Sequence, residues 1–135
     1  MIAYVDSSAL LKLYLDEPET PVAFAAIHQY ETWATGRHTL VEVRRNLARL
    51  LKDDALASAR GAFAEDWAKI AVVELDRSTC DAAASLAEQT GVKSLDALHL
   101  GAAEMVGAAD GVPLVTFDRG VRRAAKSLGW LVLPS

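Results

Sequence analysis

Four acidic residues lie beside or within apolar segments spread along the whole chain. Asp6 and Asp118 directly follow strand-like runs, whereas Glu42 and Asp96 lie in the first turn of predicted helices. A carboxylate among apolar neighbours is costly to bury unless it is paired. Gathered by the fold, the four would form an oxygen-rich ligand set for a hard divalent cation. A cation held in this way, with open coordination positions, can hydrolyse phosphodiesters.

The elements that must position these acids alternate along the chain. Strand-like runs occur at 2–5, 31–35, 70–75, 114–117 and 130–133, and helical patterns at 8–15, 21–30, 40–51, 55–68, 79–88, 95–106 and 120–128. Alternating strands and helices predict an α/β fold, with a mostly parallel central sheet of four to five strands and helices on both faces. The length and the 52% hydrophobic content predict one domain, 1–135, with an ordinary core.

The sequence allows the acids to meet at one edge of that sheet. Ligands of open parallel sheets gather at the carboxyl ends of the strands, where Asp6 and Asp118 would lie. Helix N-termini carrying Glu42 and Asp96 can line the same edge. Each acid also has a structural interpretation: Asp6 and Asp118 as N-caps, Glu42 in a capping box with Thr39, and Asp96 beside a helix dipole.

Four clustered carboxylates would repel one another, and one or two Mg2+ or Mn2+ ions would relieve that repulsion. The all-oxygen set favours these ions over zinc. The hydroxyls of Ser7 and Thr116 flank the acids at the strand ends, and we expect them either to orient a carboxylate or to cap a helix. His99 lies three residues after Asp96 on the same helical face, which is compatible with a site contact or a packing role.

The charge distribution allows for a nucleic-acid substrate although the net charge is −4. Nine of the fourteen Lys and Arg residues fall within 37–52 and 119–126. Such stripes are often only solvated surface. Here they lie on helices that carry or follow a candidate ligand, so we predict RNA phosphate contacts from Arg44, Arg45, Arg49, Arg119, Arg122 and Arg123.

Cysteine content and hydropathy indicate the cellular compartment in which we expect the protein. Cys80 is the only cysteine, which excludes an internal disulfide and a cysteine-based zinc site. No apolar run approaches the roughly 18 residues that a membrane span needs. The N-terminus has no basic region followed by a long apolar stretch. We therefore expect a cytoplasmic protein with no membrane partner.

Four segments carry a resemblance to a known family. They are VDSSAL at 5–10, TLVEVRR at 39–45, SLDALHLGAA at 94–103 and VTFDR at 115–119. In residue type, order and spacing the chain resembles the PIN-domain nucleases, and specifically the VapC toxins of bacterial type II toxin–antitoxin modules. The third segment is the most specific, and the resemblance extends from residue 2 to the last strand. Many relatives carry a further acidic or polar residue after the fourth motif, where Gly120 and Val121 stand here.

The resemblance implies a three-layer PIN-like fold and a Mg2+-dependent endoribonuclease. It further implies inhibition by a cognate VapB-like antitoxin, a homodimer and a higher toxin–antitoxin assembly. Asp6 and Asp96 are the first candidates for direct metal ligation, with Glu42 and Asp118 binding through water or a second ion. The RNA target remains open among transfer, ribosomal and messenger RNA.

Four other functions compete with this interpretation. A phosphatase of the haloacid dehalogenase type would need an acid two residues after Asp6, where Ser8 stands, and a receiver domain would need a set of acids and a late lysine that we do not find. A non-catalytic binding module would not need the intact acid set. A PIN nuclease that processes RNA without an antitoxin would have no small antitoxin gene just upstream.

Overall fold

Five short parallel strands form one sheet in the computed structural model, which describes residues 1–135. The strands are β1 (Ile2–Val5), β2 (Thr32–Gly36), β3 (Ala71–Val73), β4 (Leu114–Val115) and β5 (Val132–Leu133). Their order is β3-β2-β1-β4-β5, and every neighbouring pair is parallel. The chain therefore leaves the central β1 in one direction and later returns to its other side. This arrangement makes the carboxyl end of β1 the topological switch point, where open sheets bind ligands.

Seven helices cover the two faces of the sheet, as the alternating pattern predicts. They are α1 (Ser7–Leu11), α2 (Thr20–His28), α3 (His38–Leu50), α4 (Asp53–Trp67), α5 (Arg77–Thr90), α6 (Ser94–Met105) and α7 (Arg119–Ser127). None of them combines the length and the apolar character needed to cross a membrane. The predicted three-layer α/β fold is confirmed, with five strands in the sheet.

The core lies in two layers because the side chains of β1 alternate between the faces of the sheet. Tyr4 points into a cluster with Leu100 of α6 and Val121 of α7. Val5 belongs to the opposite cluster, which includes Leu47 of α3. Apolar side chains on both faces are typical of buried parallel strands. The same alternation brings Tyr4 to the face covered by α6.

Glycine residues fix two of the elements around the sheet. Gly91 ends α5 as its C-cap in the left-handed conformation (φ 77°), which glycine adopts without steric cost. In α6, a Cβ atom on Gly101 would lie 2.8 Å from the Cβ of Ala83 in α5, so only glycine allows the two helices to approach this closely. That contact sets the position of α6, the helix that carries Asp96 and His99.

The predicted boundaries differ from the observed ones by a few residues. The first helix is interrupted, because α1 ends at Leu11 and a 3-10 turn continues over Lys12–Tyr14. The strand predicted at 114–117 ends at Val115. Beyond it, the Thr116 side chain accepts the backbone N–H of Asp118, which turns the chain towards α7.

Candidate active site

Asp6 is the first residue after β1 and the N-cap of α1. Its carboxylate accepts hydrogen bonds from the Ala9 amide at 3.0 Å, the Ser8 hydroxyl at 2.7 Å and the Thr116 hydroxyl. The side chain is buried, and burial raises the pKa of Asp6, although His99 and the hydrogen bonds act in the opposite direction. Asp6 is therefore an N-cap, as its structural interpretation predicts. It also lies at the topological switch point of the sheet.

The Thr116 hydroxyl connects the ends of β1 and β4. It donates to Asp6 and accepts the backbone N–H of Asp118 at 3.0 Å. Ser8 lies beside it and accepts the amide of Phe117 at 2.9 Å. The hydroxyl at 116 thus orients a carboxylate, which is one of the two roles expected from the sequence.

Asp118 and Asp96 approach each other at the first turn of α7. Asp118 caps that helix by accepting the Val121 amide at 2.8 Å. A Cβ atom on Gly120 would lie 3.2 Å from Oδ1 of Asp118 and 3.4 Å from Oδ2 of Asp96. Burial raises the pKa of Asp96, as does repulsion by Asp118 and more weakly by Asp6 and Glu42. The structure therefore brings all four acids within electrostatic reach at one edge of the sheet.

Glu42 is held by a buried chain of hydrogen bonds. Because a carboxylate only accepts, Nε2 of His99 donates to Oε1 of Glu42 at 2.9 Å and also lies 3.2 Å from the Ser7 hydroxyl. Nδ1 of His99 lies 2.8 Å from the Tyr4 hydroxyl, and that hydroxyl accepts the Gly36 amide at 3.0 Å. Burial alone would raise the pKa of Glu42, but the His99 contact outweighs it and the pKa is lowered.

The capping-box interpretation of Glu42 is wrong. The helix α3 begins at His38 with Arg37 as its N-cap, and no side chain caps it. The hydroxyl of Thr39 instead lies 2.7 Å from that of Thr35, where both are buried. Glu42 is therefore one turn inside the helix, with its side chain turned towards His99.

His38 is a site residue that the sequence analysis missed. It is 9% exposed, its Nε2 lies 3.8 Å from Oε1 of Glu42, and its ring centroid lies 4.1 Å from that of His99. Neither nitrogen has a hydrogen-bond partner of ordinary geometry, although the Leu95 backbone slightly favours the charged ring. Burial and then His99 lower the pKa of His38 to about 4. The sequence did contain one signal for His38: it lies four residues before Glu42, a spacing that places two side chains side by side on a helix.

The basic side chains near the site fall into two groups. Five of the six predicted RNA contacts are exposed: Arg44, Arg45, Arg49, Arg119 and Arg123. Arg122 differs, because its guanidinium donates to the carbonyls of Thr116 at 2.6 Å, Pro134 at 2.7 Å and Leu133 at 3.3 Å. These bonds hold the C-terminal segment against β4. The guanidinium of Arg122 is therefore engaged within the protein and is not available for the predicted contact with RNA phosphate.

The four acids suit a hard cation by their chemistry. Asp96 accepts no hydrogen bond and Asp118 uses only Oδ1, so several carboxylate oxygens are free to bind a metal. A cation would also relieve the repulsion that raises the pKa of Asp96. No three of these acids have oxygens within 4.8 Å of one another; the one group of side chains that close is His38, Glu42 and His99.

Comparison with known proteins gives the family. Residues 3–127 match the sequence profile of the PIN domain. The chain belongs to the PIN-domain family. It is 34% identical over 130 residues to Ribonuclease VapC46 of Mycobacterium tuberculosis (strain ATCC 25618 / H37Rv), a match that covers 96% of this chain and 95% of that protein. The resemblance to VapC proteins is thus confirmed over nearly the whole PIN domain.

Solved structures share the fold. The PIN domain superposes on M. tuberculosis VapC20, described as a sarcin-ricin loop cleaving toxin, with a TM-score of 0.71 and 18% identity; 97% of each chain is covered. It also superposes on a chain of VapBC2 from Rickettsia felis, solved with a promoter DNA fragment, with a TM-score of 0.66 and 16% identity. That match covers 98% of this chain and 97% of the other.

Proposed function

We propose that this PIN domain is a Mg2+-dependent endoribonuclease and the toxin of a type II toxin–antitoxin module. The observation that carries the proposal is the convergence of Asp6, Glu42, Asp96 and Asp118 at the switch point of the sheet. Burial and then repulsion by the neighbouring acids raise the pKa of Asp96 there, as expected for a site that receives a cation. Full-length similarity to a VapC ribonuclease supports the same activity.

The four acids would hold the metal, with Asp6 and Asp96 as its direct ligands. A bound Mg2+ ion supplies an activated water and stabilises charge on the leaving oxygen of a phosphodiester. Thr116 fixes the rotamer of Asp6, and His99 fixes that of Glu42. The protein thereby presents its carboxylates in one arrangement, which lowers the cost of organising the site. Mn2+ has the same preference for oxygen ligands and would substitute.

The exposed arginines would hold the phosphates that flank the cleaved bond. Arg44, Arg45 and Arg49 lie on α3, the helix that carries Glu42, while Arg119 and Arg123 lie on α7, directly after Asp118. Phosphate contacts of this kind give affinity that falls with salt concentration. The choice among RNA targets would depend on loops and groove shape around this edge.

A VapB-like antitoxin would inhibit the enzyme, and the toxin would form a homodimer within a larger toxin–antitoxin assembly. Toxin–antitoxin complexes among the proteins of similar fold support a partner of this kind. An apolar pocket between α3 and α4, with Phe63 and Trp67 in its wall and Arg44 and Arg60 at its rim, suits an acidic amphipathic segment. A small antitoxin gene directly upstream supports the toxin role, and its absence favours RNA processing without an inhibitor.

Replacement of Asp6 by Asn tests the enzymatic proposal. The variant keeps the size of the side chain but removes the charge that binds the cation, and its amide group donates to the Thr116 hydroxyl that the carboxylate accepted. We expect it to fold and to lose RNA cleavage, whereas Asp81→Asn, on the exposed surface of α5, cleaves like the wild type. Excess EDTA should stop the wild-type enzyme and Mg2+ should restore it. Undiminished cleavage by Asp6→Asn, or in EDTA, would contradict the proposal.

A further inference from the structure

A second group of potential metal ligands lies beside the acids. One ligand atom from each of His38, Glu42 and His99 can be chosen so that all lie within 4.8 Å of one another. Oε1 of Glu42 is 2.9 Å from Nε2 of His99 and 3.8 Å from Nε2 of His38. Around a tetrahedral ion with ligand bonds of 2.0–2.1 Å, ligand atoms are roughly 3.3 Å apart. The two observed distances bracket that value, so small side-chain movements would complete the geometry.

His38 distinguishes this group from an ordinary hydrogen-bonded cluster. Its side chain is nine-tenths buried, neither nitrogen has a hydrogen-bond partner of ordinary geometry, and Nε2 faces Glu42. Buried polar groups in folded proteins are almost always paired, and each exception calls for an explanation. A cation bound between His38 and Glu42 would satisfy the imidazole and the carboxylate together.

The fold makes a specific place for the His38 ring. A Cβ atom on Gly36 would lie 2.6 Å from Cε1 and 2.7 Å from Nδ1 of His38. Only a residue without a side chain leaves this space, and the ring fills it while lying against His99. The last residue of β2 and the first residue of α3 together hold the imidazole beside Glu42.

His99 also has the supporting contact that metal-bound histidines need. Such a histidine usually donates its second ring N–H to a neighbouring acceptor. The Tyr4 hydroxyl lies 2.8 Å from Nδ1 of His99. When Nε2 binds a cation, the ring proton resides on Nδ1 and the phenol oxygen accepts it.

We propose that His38, Glu42 and His99 form a second metal site, for Zn2+ or a similar transition-metal ion, which shares one acid with the Mg2+ site. Two imidazoles and one carboxylate are a ligand set that selects zinc-class ions over Mg2+, and they leave a fourth position for water. Glu42 belongs to both sites. Occupation by zinc would therefore withdraw one acid from the Mg2+ site and inhibit RNA cleavage, a consequence that rests on the proposed function, whereas zinc binding does not.

Metal titration of the untagged chain tests the site. The Cys80→Ser background removes the one exposed thiol that could bind zinc independently. Calorimetry should give one Zn2+ per chain in the presence of excess Mg2+, and Co2+ should give the intense visible bands of four-coordinate cobalt. His38→Phe and His38→Asn should each weaken Zn2+ binding about tenfold or more. His28→Gln, which changes an exposed histidine of α2, should bind like the wild type.

Imidazole NMR of the wild type provides a measurement that requires no variant. The chain has three histidines, and Zn2+ should shift the ring signals of His38 and His99 but not those of His28. The proposal is overturned if Zn2+ leaves the His38 ring unperturbed, or if both folded His38 variants bind Zn2+ with wild-type affinity.

Inhibition of RNA cleavage by zinc can be measured separately from zinc binding. One equivalent of Zn2+ should reduce Mg2+-dependent cleavage by the wild type, and the ratio of cleavage with zinc to cleavage without it should return to near one in His38→Asn. Absence of any cleavage by the wild type in Mg2+ would contradict the proposed function, while the titration and the NMR measurement would still decide the zinc site.

Discussion

The Tyr4 hydroxyl forms a 2.8 Å hydrogen bond with Nδ1 of His99, across 95 residues of sequence. This contact joins the central strand β1 to helix α6 inside the core. The His99 ring, held in this orientation, donates from Nε2 to Glu42. A phenol on the buried face of the sheet thereby determines how a carboxylate at its edge is presented.

Removal of that phenol should affect stability and the site together. Tyr4→Phe leaves the Gly36 amide and Nδ1 of His99 without partners in a buried place. We expect the free energy of unfolding to fall by about 1–3 kcal/mol, measured by urea denaturation. RNA cleavage should fall as well, because the His99 ring loses its fixed orientation. Tyr30→Phe removes a hydroxyl outside this hydrogen-bond chain and should leave both quantities near their wild-type values.

Thr116 should matter through its hydroxyl. Thr116→Ala removes the donor to Asp6 and the acceptor of the Asp118 amide, and both groups are near the cation site. We expect a loss of about 1–3 kcal/mol in the free energy of unfolding, since a buried charge loses a hydrogen bond, together with a strong loss of cleavage. Thr116→Ser keeps the hydroxyl and should retain most activity. Equal activity of the Ala and Ser variants would show that the hydroxyl has no part in the site.

Arg122 and Arg123 are neighbours in sequence with different expected roles. Arg122→Ala removes the guanidinium that holds three backbone carbonyls, so we expect a loss of about 1.5–3 kcal/mol in the free energy of unfolding. Arg123→Ala should change stability by less than about 0.5 kcal/mol because the side chain is exposed. It should instead weaken RNA binding and lower the salt dependence of affinity by about one unit. Thermal unfolding and filter binding at several salt concentrations would separate these effects.

Gly120 should be required for space beside the carboxylates. Gly120→Ala places a methyl group 3.2 Å from Oδ1 of Asp118, which must shift by a few tenths of an ångström, and in van der Waals contact with Oδ2 of Asp96. We expect weaker Mg2+ binding and lower activity in a folded protein. Gly61→Ala, in the interior of α4 where a Cβ meets open space, should stabilise the fold by about 0.5–1 kcal/mol with unchanged activity. Mg2+-dependent shifts of the unfolding temperature would measure the first effect, and unchanged Mg2+ affinity in Gly120→Ala would contradict it.

Local sequence signals predicted the fold and the meeting place of the acids. Asp6 and Asp118 were predictable because each stands between an apolar strand and a helix, and parallel topology brings such junctions to one edge. The capping box at Glu42 failed because Thr39 pairs with Thr35, a contact made by the packing of α3 on β2. For a similar reason, nothing in the sequence indicated the buried position of His38, and the charge pattern pointed Arg122 towards RNA. Their roles depend on which way a side chain turns in the tertiary structure, and residue type does not encode that direction.

Asp96 offers a test of the cation site that does not depend on catalysis. Folding raises the pKa of this carboxyl through burial and the neighbouring acids, so its ionised form is less favourable in the folded protein than in the unfolded chain. At neutral pH without metal, Asp96→Asn should therefore unfold at a higher temperature than the wild type. Mg2+ should raise the unfolding temperature of the wild type, because binding to the folded state stabilises it, and should leave that of the variant almost unchanged. An equal Mg2+ response of both proteins would remove Asp96 from the set of metal ligands.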